Sequence, residues 1–458
     1  MNLVYKVNDR PKFGQLIVFA LQQLLAILAA TIAVPSIIGN GMSQSAALFG
    51  AGVGTIVYLL FTKFSSPVFL GSSFAFLGSM AAAFAGGVSM SLGYLGLILG
   101  AVFAGLVYVV IAIIVKLTGA GWINKLMPAV VIGPTVAIIG LSLAGNAVGD
   151  LFSGNVATAE GTQAASTYLC LLCGLVTFIV TILCSVYGKK FVRMIPFIIG
   201  ICSGYALAAI FTVIGNTSNI PALQIIDFSK FSTMQWYPEF TFLKAFSGGY
   251  EFGEVGSMGT YIATIAVAYI PVAFVVFAEH IADHKNISSI IGSDLLEQPG
   301  LHRTLLGDGV GSMAGALFGG CPNTTYGESI GCVAISCNAS TVTILTTAIM
   351  AIVISFVAPF STFLSTIPSC VMGGVCMALY GFIAVSGLKM LQGVDLGDNR
   401  NLFVVSAILI AGIGGMTIKI GPVVLTEVAS ALILGIIVNL ILSGKKSEKV
   451  EKEVAAEE

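Results

Sequence analysis

The sequence predicts an all-α polytopic membrane protein: fourteen transmembrane segments arranged as two inverted repeats of seven, with short strands in segments 3 and 10. Three observations support this prediction. Apolar residues make up 57% of the 458 residues and charged residues only 9%, a balance that few soluble proteins tolerate. Gly accounts for 54 residues, which suits closely packed and broken membrane helices. Runs of about 20 apolar residues, long enough to cross the roughly 30 Å hydrocarbon layer, recur along the chain.

The apolar runs divide the chain into two halves. Segments 1–7 form the first repeat, 15–215, and segments 8–14 form the second, 260–442. An extracellular loop, 216–259, separates the repeats, and tails at 1–14 and 443–458 flank them. The fourteen candidate segments are 15–39, 44–62, 67–84, 92–115, 127–148, 167–187, 194–215, 260–282, 303–320, 322–336, 340–365, 366–387, 402–420 and 422–442.

The positions of the basic residues predict the orientation. An even number of segments puts both termini on one side of the membrane. If that side is the cytoplasm, only three of the 20 Lys and Arg residues, Lys230, Lys244 and Lys419, lie outside. Because Lys and Arg favour the cytoplasmic side, we expect a multi-pass protein of the cell membrane with both termini cytoplasmic.

Segments 3 and 10 have the composition of broken spans. The stretches G-S-S-F-A-F (71–76) and N-T-T-Y-G-E (323–328) each place two hydroxyl residues before an aromatic residue. Irregular backbone survives in a membrane only where protein buries it or a cavity hydrates it. We therefore predict a short extended stretch followed by a half-helix in segment 10 and a short or broken span in segment 3. Since seven is odd, the two halves enter the membrane from opposite sides, and inverted repeats place the substrate site between such broken segments.

Two acidic residues are the main candidates for a functional site. Glu279 follows a long apolar run and Glu328 lies near the start of the half-helix in segment 10. A charge at the membrane centre costs about 2.5–3.5 kcal/mol on insertion scales, so each acid requires a partner or a function. Asp283 lies one helical turn after Glu279 on the same face. It could take part in function, or it could mark the cytoplasmic end of its helix.

The other titratable residues in or near the spans have weaker functional signals. Interfacial positions at a helix end are the favoured interpretation for His280 and His284, with proton transfer as the alternative. Asp308 and Glu427 lie among Gly and small residues, where partnered structural acids are as common as functional ones.

These groups together predict the chemical class of the ligand. Two carboxylates accept hydrogen bonds, N–H groups at half-helix starts donate them, and aromatic faces stack. A small planar molecule with alternating N–H and C=O groups, such as uracil, would satisfy all three, whereas two carboxylates would repel an anion.

We expect no metal or other cofactor and no nucleic-acid partner. The spans carry no nucleophile–base pair or metal-ligand cluster, which argues against an enzyme.

Five stretches of the chain resemble one known family, the nucleobase–ascorbate transporters (nucleobase:cation symporters), in its uracil permease branch. They are Q-Q-L-L-A-I-L-A-A-T-I-A-V-P, L-G-S-S-F-A-F, A-E-H-I-A-D-H, D-L-L-E-Q-P-G-L-H-R and G-G-C-P-N-T-T-Y-G-E-S-I-G. The resemblance implies secondary active uptake of uracil by proton symport, with alternating access between a core domain and a gate domain. The core would comprise about 15–115 plus 260–365, and the gate about 127–215 plus 366–442. A homodimer through the gate domain is also implied.

The resemblance also assigns roles by motif position. Glu279 and Glu328 would bind the polar edge of the base, and Asp283, with Glu279, would couple transport to protons. The remaining residues would form the pocket, through backbone N–H groups of Phe74 and Gly327 and through the side chains of Ala30 and Tyr380.

The chain departs from the family pattern at three positions. Gln23 stands where the family often has His, Ser329 where it usually has Asn, and Cys337 where a basic residue is frequent.

The alternatives to a uracil transporter are a purine (xanthine or urate) transporter of the same family and an anion transporter or channel of similar architecture. Na⁺ is the alternative to H⁺ as coupling ion.

Overall fold

A computed structural model describes residues 3–119, 122, 128–157, 162–189, 191–420 and 423–443. Within these residues, eight helices are long and apolar enough to cross a membrane, and nine crossings result if one sharply bent helix pair counts as a span. Shorter apolar helices complete the membrane part. The prediction of a helical, multi-pass membrane protein is thus confirmed. Apart from residue 443, the predicted C-terminal tail lies outside the described residues.

The first half of the chain contains nine described helices and one strand. In order, they are α1 (Phe13–Ile38), α2 (Gln44–Phe61), β1 (Leu70–Ser72), α3 (Leu77–Ala83), α4 (Met90–Thr118), α5 (Ala129–Ser142), α6 (Ala144–Asp150), α7 (Thr167–Tyr187), α8 (Phe191–Met194) and α9 (Pro196–Thr217). A 3₁₀ turn, Phe74–Phe76, joins β1 to α3.

The second half begins with a short helix in the loop between the two predicted repeats, and its described elements end at residue 443. In order, the described elements are α10 (Thr241–Ala245), α11 (Met258–Ile291), α12 (Leu301–Gly319), β2 (Asn323–Thr325), α13 (Gly327–Ser336), α14 (Thr341–Ile354), α15 (Ala358–Thr366), α16 (Ser369–Lys389), α17 (Asn399–Ile413), β3 (Ile418–Ile420), β4 (Val423–Leu425) and α18 (Glu427–Ser443).

The strands predicted in segments 3 and 10 are present, and they pair with each other. Strand β1 runs antiparallel to β2, with Leu70 opposite Thr325 and Ser72 opposite Asn323. All residues of both strands are buried. The pairing satisfies the backbone hydrogen-bonding groups of both extended segments inside the protein, as burial in a membrane requires. It also brings together the starts of α3 and α13, which follow the two strands and lie about 250 residues apart in the sequence.

Four predicted segments differ from the structure. The predicted span 340–365 is two helices, α14 and α15, bent by 84°, because Pro359 begins a new helix without needing an amide partner. The predicted span 260–282 continues to Ile291 in α11. The predicted spans 402–420 and 422–442 each contain a short strand, β3 or β4, and these form an antiparallel hairpin. Their β-branched residues favour strand over helix.

The helices form two packing groups. In the first, α12 packs against α2 and α4, α11 packs against α4, and α14 packs against α1 and α2. Gly54 and Gly311 allow the close approach of α2 and α12, since a Cβ added to Gly54 would lie 2.7 Å from the Gly311 carbonyl oxygen. In the second group, α16 packs against α5 and α7, α7 against α9, and α17 against α5 and α18.

The N-terminal residues before α1 are attached to the link between α13 and α14. The amide of Val4 donates a 2.8 Å hydrogen bond to the Cys337 carbonyl, and the amide of Ala339 donates a 2.9 Å bond to the Tyr5 carbonyl. Cys337 ends α13 in a left-handed conformation with a φ of 55°. This attachment holds the end of the half-helix whose other end carries Glu328.

Candidate functional site

A cavity of about 370 Å³ lies between the two packing groups. Its polar lining consists of the side chains of Arg193, Glu279, Asp283, Glu328 and Ser386, and its apolar wall includes Phe197 and Phe382. A second cavity of about 50 Å³ shares Glu279, Gly327 and Glu328 with the first and continues toward β1 and β2. The two cavities together form one candidate ligand site between elements from both halves of the chain.

Glu279 and Glu328, the two main candidates from the sequence, line both cavities. Glu279 projects from the middle of α11, and Glu328 is the second residue of α13. Both side chains are partly exposed to the cavities rather than fully buried. The first turn of a helix has N–H groups without intrahelical partners. The site therefore offers carboxylate acceptors beside backbone donors.

Asp283 lies one turn after Glu279 and lines the larger cavity. The hydroxyl of Thr325, on β2, donates a 2.7 Å hydrogen bond to Asp283 Oδ2. Because α11 continues to Ile291, Asp283 does not lie at the end of its helix, and the interpretation as a helix-end marker is wrong. Instead, its carboxylate connects the helix to the strand of the broken segment.

His280 and His284 are fully buried, so the interpretation as interfacial residues is wrong. His280 Nδ1 lies 2.7 Å from Asp308 Oδ2, and His284 Nε2 lies 2.7 Å from the Tyr58 hydroxyl. The longer helix explains the difference, because α11 carries both residues well inside the protein. They occupy the face of α11 that is hydrogen-bonded to Tyr58 of α2 and Asp308 of α12, while Glu279 and Asp283 face the cavity. Asp308 is the buried partner of His280.

The other predicted pocket residues differ in their positions. Gly327 lines both cavities, and a Cβ added to it would meet no atom within 4 Å. Phe74 lines the smaller cavity. Tyr380 lies behind Phe74, with the ring centroids 5.7 Å apart in an edge-on arrangement. Tyr380 and Ala30 are buried and line neither cavity, so direct ligand contact by their side chains stays a prediction.

Two of the three departures from the family pattern contact each other. The side-chain amide of Gln23 donates to the Ser329 hydroxyl and, at 3.3 Å, to the Ser329 carbonyl. The amide of Phe69, just before β1, also donates to the Ser329 hydroxyl at 3.0 Å. Gln23 and Ser329 are both buried. This small network joins α1, β1 and α13 directly behind Glu328.

Two contributors to the site were not predicted from the sequence. In the sequence, Arg193 is simply a basic residue before an apolar run, and this pattern indicates the end of a membrane span rather than a ligand site. Thr325 belongs to a polar run, but its contact with Asp283 spans 42 residues and has no local signal. Among the residues that the structure describes, no group of three or more His, Cys, Asp or Glu side chains could hold a metal ion.

Comparisons with known proteins agree with this architecture. A family model described as "Permease family" (Xan_ur_permease) matches residues 14–421. Uracil permease of Bacillus caldolyticus is 40% identical over 96% of this chain and 95% of its own length. Uracil permease of Bacillus subtilis (strain 168) is 37% identical, with 97% and 96% covered. Uracil permease of Escherichia coli (strain K12) is 34% identical, with 95% and 93% covered.

Two solved structures share the fold at low sequence identity. The transmembrane domain of a cyanobacterium bicarbonate transporter, BicA, has a TM-score of 0.61 and 17% identity, covering 95% of this chain and all of that one. The murine solute carrier 26 family member A9, an anion transporter in the inward-facing state, has a TM-score of 0.64 and 12% identity, with 96% and 69% covered. These likenesses concern the fold alone. The family match and the permease relatives identify a membrane transporter and not an enzyme.

Proposed function

Because this chain belongs to the xanthine and uracil permease family, we propose that it takes up uracil by proton symport. One observation carries the proposal: Glu279 of α11 and Glu328 of α13, which lie 49 residues apart in the second half of the chain, line the same cavity. The relatives described above are named uracil permeases, which supports uracil as the substrate.

The chemistry of uracil fits the groups at this site. Its N–H groups would donate to the carboxylates of Glu279 and Glu328, and its carbonyl groups would accept from the backbone N–H groups of Phe74 and Gly327. The open space around Gly327 lets a flat ring approach the backbone closely. Ala30 and Tyr380 would complete the pocket in a conformation in which it closes around the base.

Proton coupling would involve Asp283 together with Glu279. A bare carboxylate is costly to move through a dry interior, so proton uptake would favour movement of the loaded protein. Release of base and proton to the cytoplasm would follow, and the inward proton gradient would drive accumulation. Na⁺ is the alternative coupling ion.

The two packing groups would be the moving bodies. The group built on α2, α4, α11 and α12 would form the core domain, about 15–115 plus 260–365. The group built on α5, α7, α16 and α17 would form the gate domain, about 127–215 plus 366–442. Alternating access would then be movement of one body against the other, with fourteen segments in two inverted repeats of seven. Both termini would be cytoplasmic, and a homodimer would form through the gate.

Uptake of labelled uracil into proteoliposomes, with pH and sodium gradients imposed separately, tests the proposal. Wild-type protein should accumulate uracil only when the proton gradient is directed inward. E279Q and E328A should abolish uracil binding, since each removes an acceptor at the base. Wild-type affinity for uracil in either variant would contradict the proposed binding site. Accumulation driven by a sodium gradient alone would show that Na⁺, and not H⁺, is the coupling ion.

A purine or other oxo-base transporter of the same family is the second candidate, because the family model covers both kinds of base. Competition among uracil, 5-fluorouracil and xanthine separates the two. Uracil and its 5-fluoro analogue should displace labelled uracil, and xanthine should not. The anion transporters of similar fold are a weaker analogy, since three carboxylates in one cavity would repel an anion.

A further inference from the structure

Arg193 is the one cation that lines the candidate substrate cavity among the described residues. It lies on α8, in the short link between α7 and α9, and is largely exposed. The other charged lining residues are Glu279 and Asp283 on α11 and Glu328 on α13. No described side chain or carbonyl forms an ion pair or a hydrogen bond with the guanidinium of Arg193. The cavity therefore has three carboxylates and one uncommitted guanidinium.

The packing around α8 places Arg193 across the cavity from Glu328. Met194 and Ile195, the next two residues, pack in one cluster with Cys332 of α13. Cys332 lies four residues after Glu328, hence about 6 Å along the same helix face. Both also line the cavity. Rotation of the long Arg193 side chain about its own bonds would bring the guanidinium toward Glu328, since both residues line one cavity.

Arginine suits such a role because its guanidinium stays charged and matches a carboxylate with two parallel N–H groups. An N–H group of uracil would donate to the same carboxylate of Glu328. The base and the guanidinium would thus compete for one carboxylate. The carboxylate would lack a hydrogen bond from either group only when both the base and the guanidinium are away from it.

We propose that Arg193 promotes release of the substrate to the cytoplasm by pairing with Glu328 as the base leaves. This inference rests on the proposed function of the protein as a uracil transporter. Pairing lowers the free energy of the empty, cytoplasm-facing state and so weakens apparent binding there. The guanidinium returns to water when the base occupies Glu328. Arg193 is a positioning residue for release and makes no contact with bound uracil.

Equilibrium uracil binding to the purified full-length protein is the first test. R193Q should bind uracil about tenfold more tightly than wild type, because a competing charged hydrogen bond is lost. R193K keeps the charge but lacks the paired N–H groups, so its affinity for uracil should lie between those of wild type and R193Q. K189Q removes a charge from the same link at an exposed position that does not line the cavity, and it should leave binding unchanged. Damage to the fold would weaken binding, which is the opposite direction.

Transport gives the second readout. In proteoliposomes, R193Q should take up uracil more slowly than wild type at saturating substrate, because release becomes slower. Unchanged or weaker binding in R193Q, or the same effect in K189Q, would overturn the role of Arg193. If the wild-type protein itself fails to bind uracil, the proposed function fails instead, so the two failures are distinguishable.

Discussion

The hydroxyl of Thr325 donates a 2.7 Å hydrogen bond to the carboxylate of Asp283. Thr325 ends strand β2, which pairs with β1, and Asp283 lies on α11 one turn from Glu279. The bond therefore joins the strand pair that frames the smaller cavity to the helix that carries the acids. A structural change at Asp283 can thus be transmitted through one hydrogen bond to the strand pair, which lies beside the backbone proposed to bind the base.

Replacing Thr325 with Val should impair transport while leaving the protein folded. Val keeps the β-branched shape that suits the strand but cannot donate to Asp283. Loss of a hydrogen bond to a charged group corresponds to about 1.5–3 kcal/mol, so we expect at least a tenfold loss of uptake efficiency. Initial uptake rates over a range of uracil concentrations measure it. T346V removes a hydroxyl that bonds only within its own helix, and equal loss in both variants would contradict the prediction.

The D283N variant should separate transport from the proton gradient. Asn can still accept a hydrogen bond from Thr325, but it cannot take up or release a proton in the physiological range. We expect uracil binding within a few-fold of wild type and uptake that no longer responds to an imposed pH gradient. Binding to purified protein and uptake at several external pH values provide the two measurements. Uptake in D283N that remains proton-driven would remove Asp283 from the coupling mechanism.

Replacing Ser329 with Ala should destabilise the protein because a buried donor loses its partner. The Ser329 hydroxyl accepts from the Gln23 amide and the Phe69 backbone amide. Without it, the Phe69 amide is unpaired and Gln23 keeps only its 3.3 Å bond to the Ser329 carbonyl. An unsatisfied buried group costs about 1–3 kcal/mol, so we expect a clearly lower midpoint of thermal unfolding in detergent. S289A, which removes an exposed hydroxyl that bonds within its own helix, is the control. Equal thermal stability of S329A and wild type would show that this network is dispensable.

The G71A variant should disturb the strand pair and, with it, uracil binding. A Cβ at position 71 would overlap the ring of Tyr326, whose hydroxyl donates a 2.9 Å bond to the Ser72 carbonyl. Overpacking of this kind typically costs about 1–3 kcal/mol. G259A provides a control, because a Cβ there meets no atom within 4 Å. Uracil titration and thermal unfolding should both reveal the difference. Wild-type binding in G71A would indicate that the strands can separate without loss of the site.

Local sequence patterns are enough to predict the membrane class, the broken segments and the acidic residues. Apolar runs identify membrane helices because about 20 consecutive apolar residues are needed to cross a bilayer. Polar, Gly-containing runs around Gly71 and Gly327 interrupt that pattern, so the breaks in segments 3 and 10 could be predicted. Glu279 and Glu328 stood out because ionisable residues are rare in spans. Each of these signals is local and can be seen in a window of a few residues.

The contacts between distant residues depend on the tertiary structure and could not be predicted from local sequence. The pairing of Leu70 with Thr325, the contact of Gln23 with Ser329 and the burial of His280 against Asp308 link residues that no local pattern connects. The true end of α11 at Ile291 also depended on packing, because polar residues after Asp283 would otherwise end a membrane helix there. Interhelical packing and satisfied buried polar groups set these relationships. Both depend on the whole fold rather than on neighbouring residues.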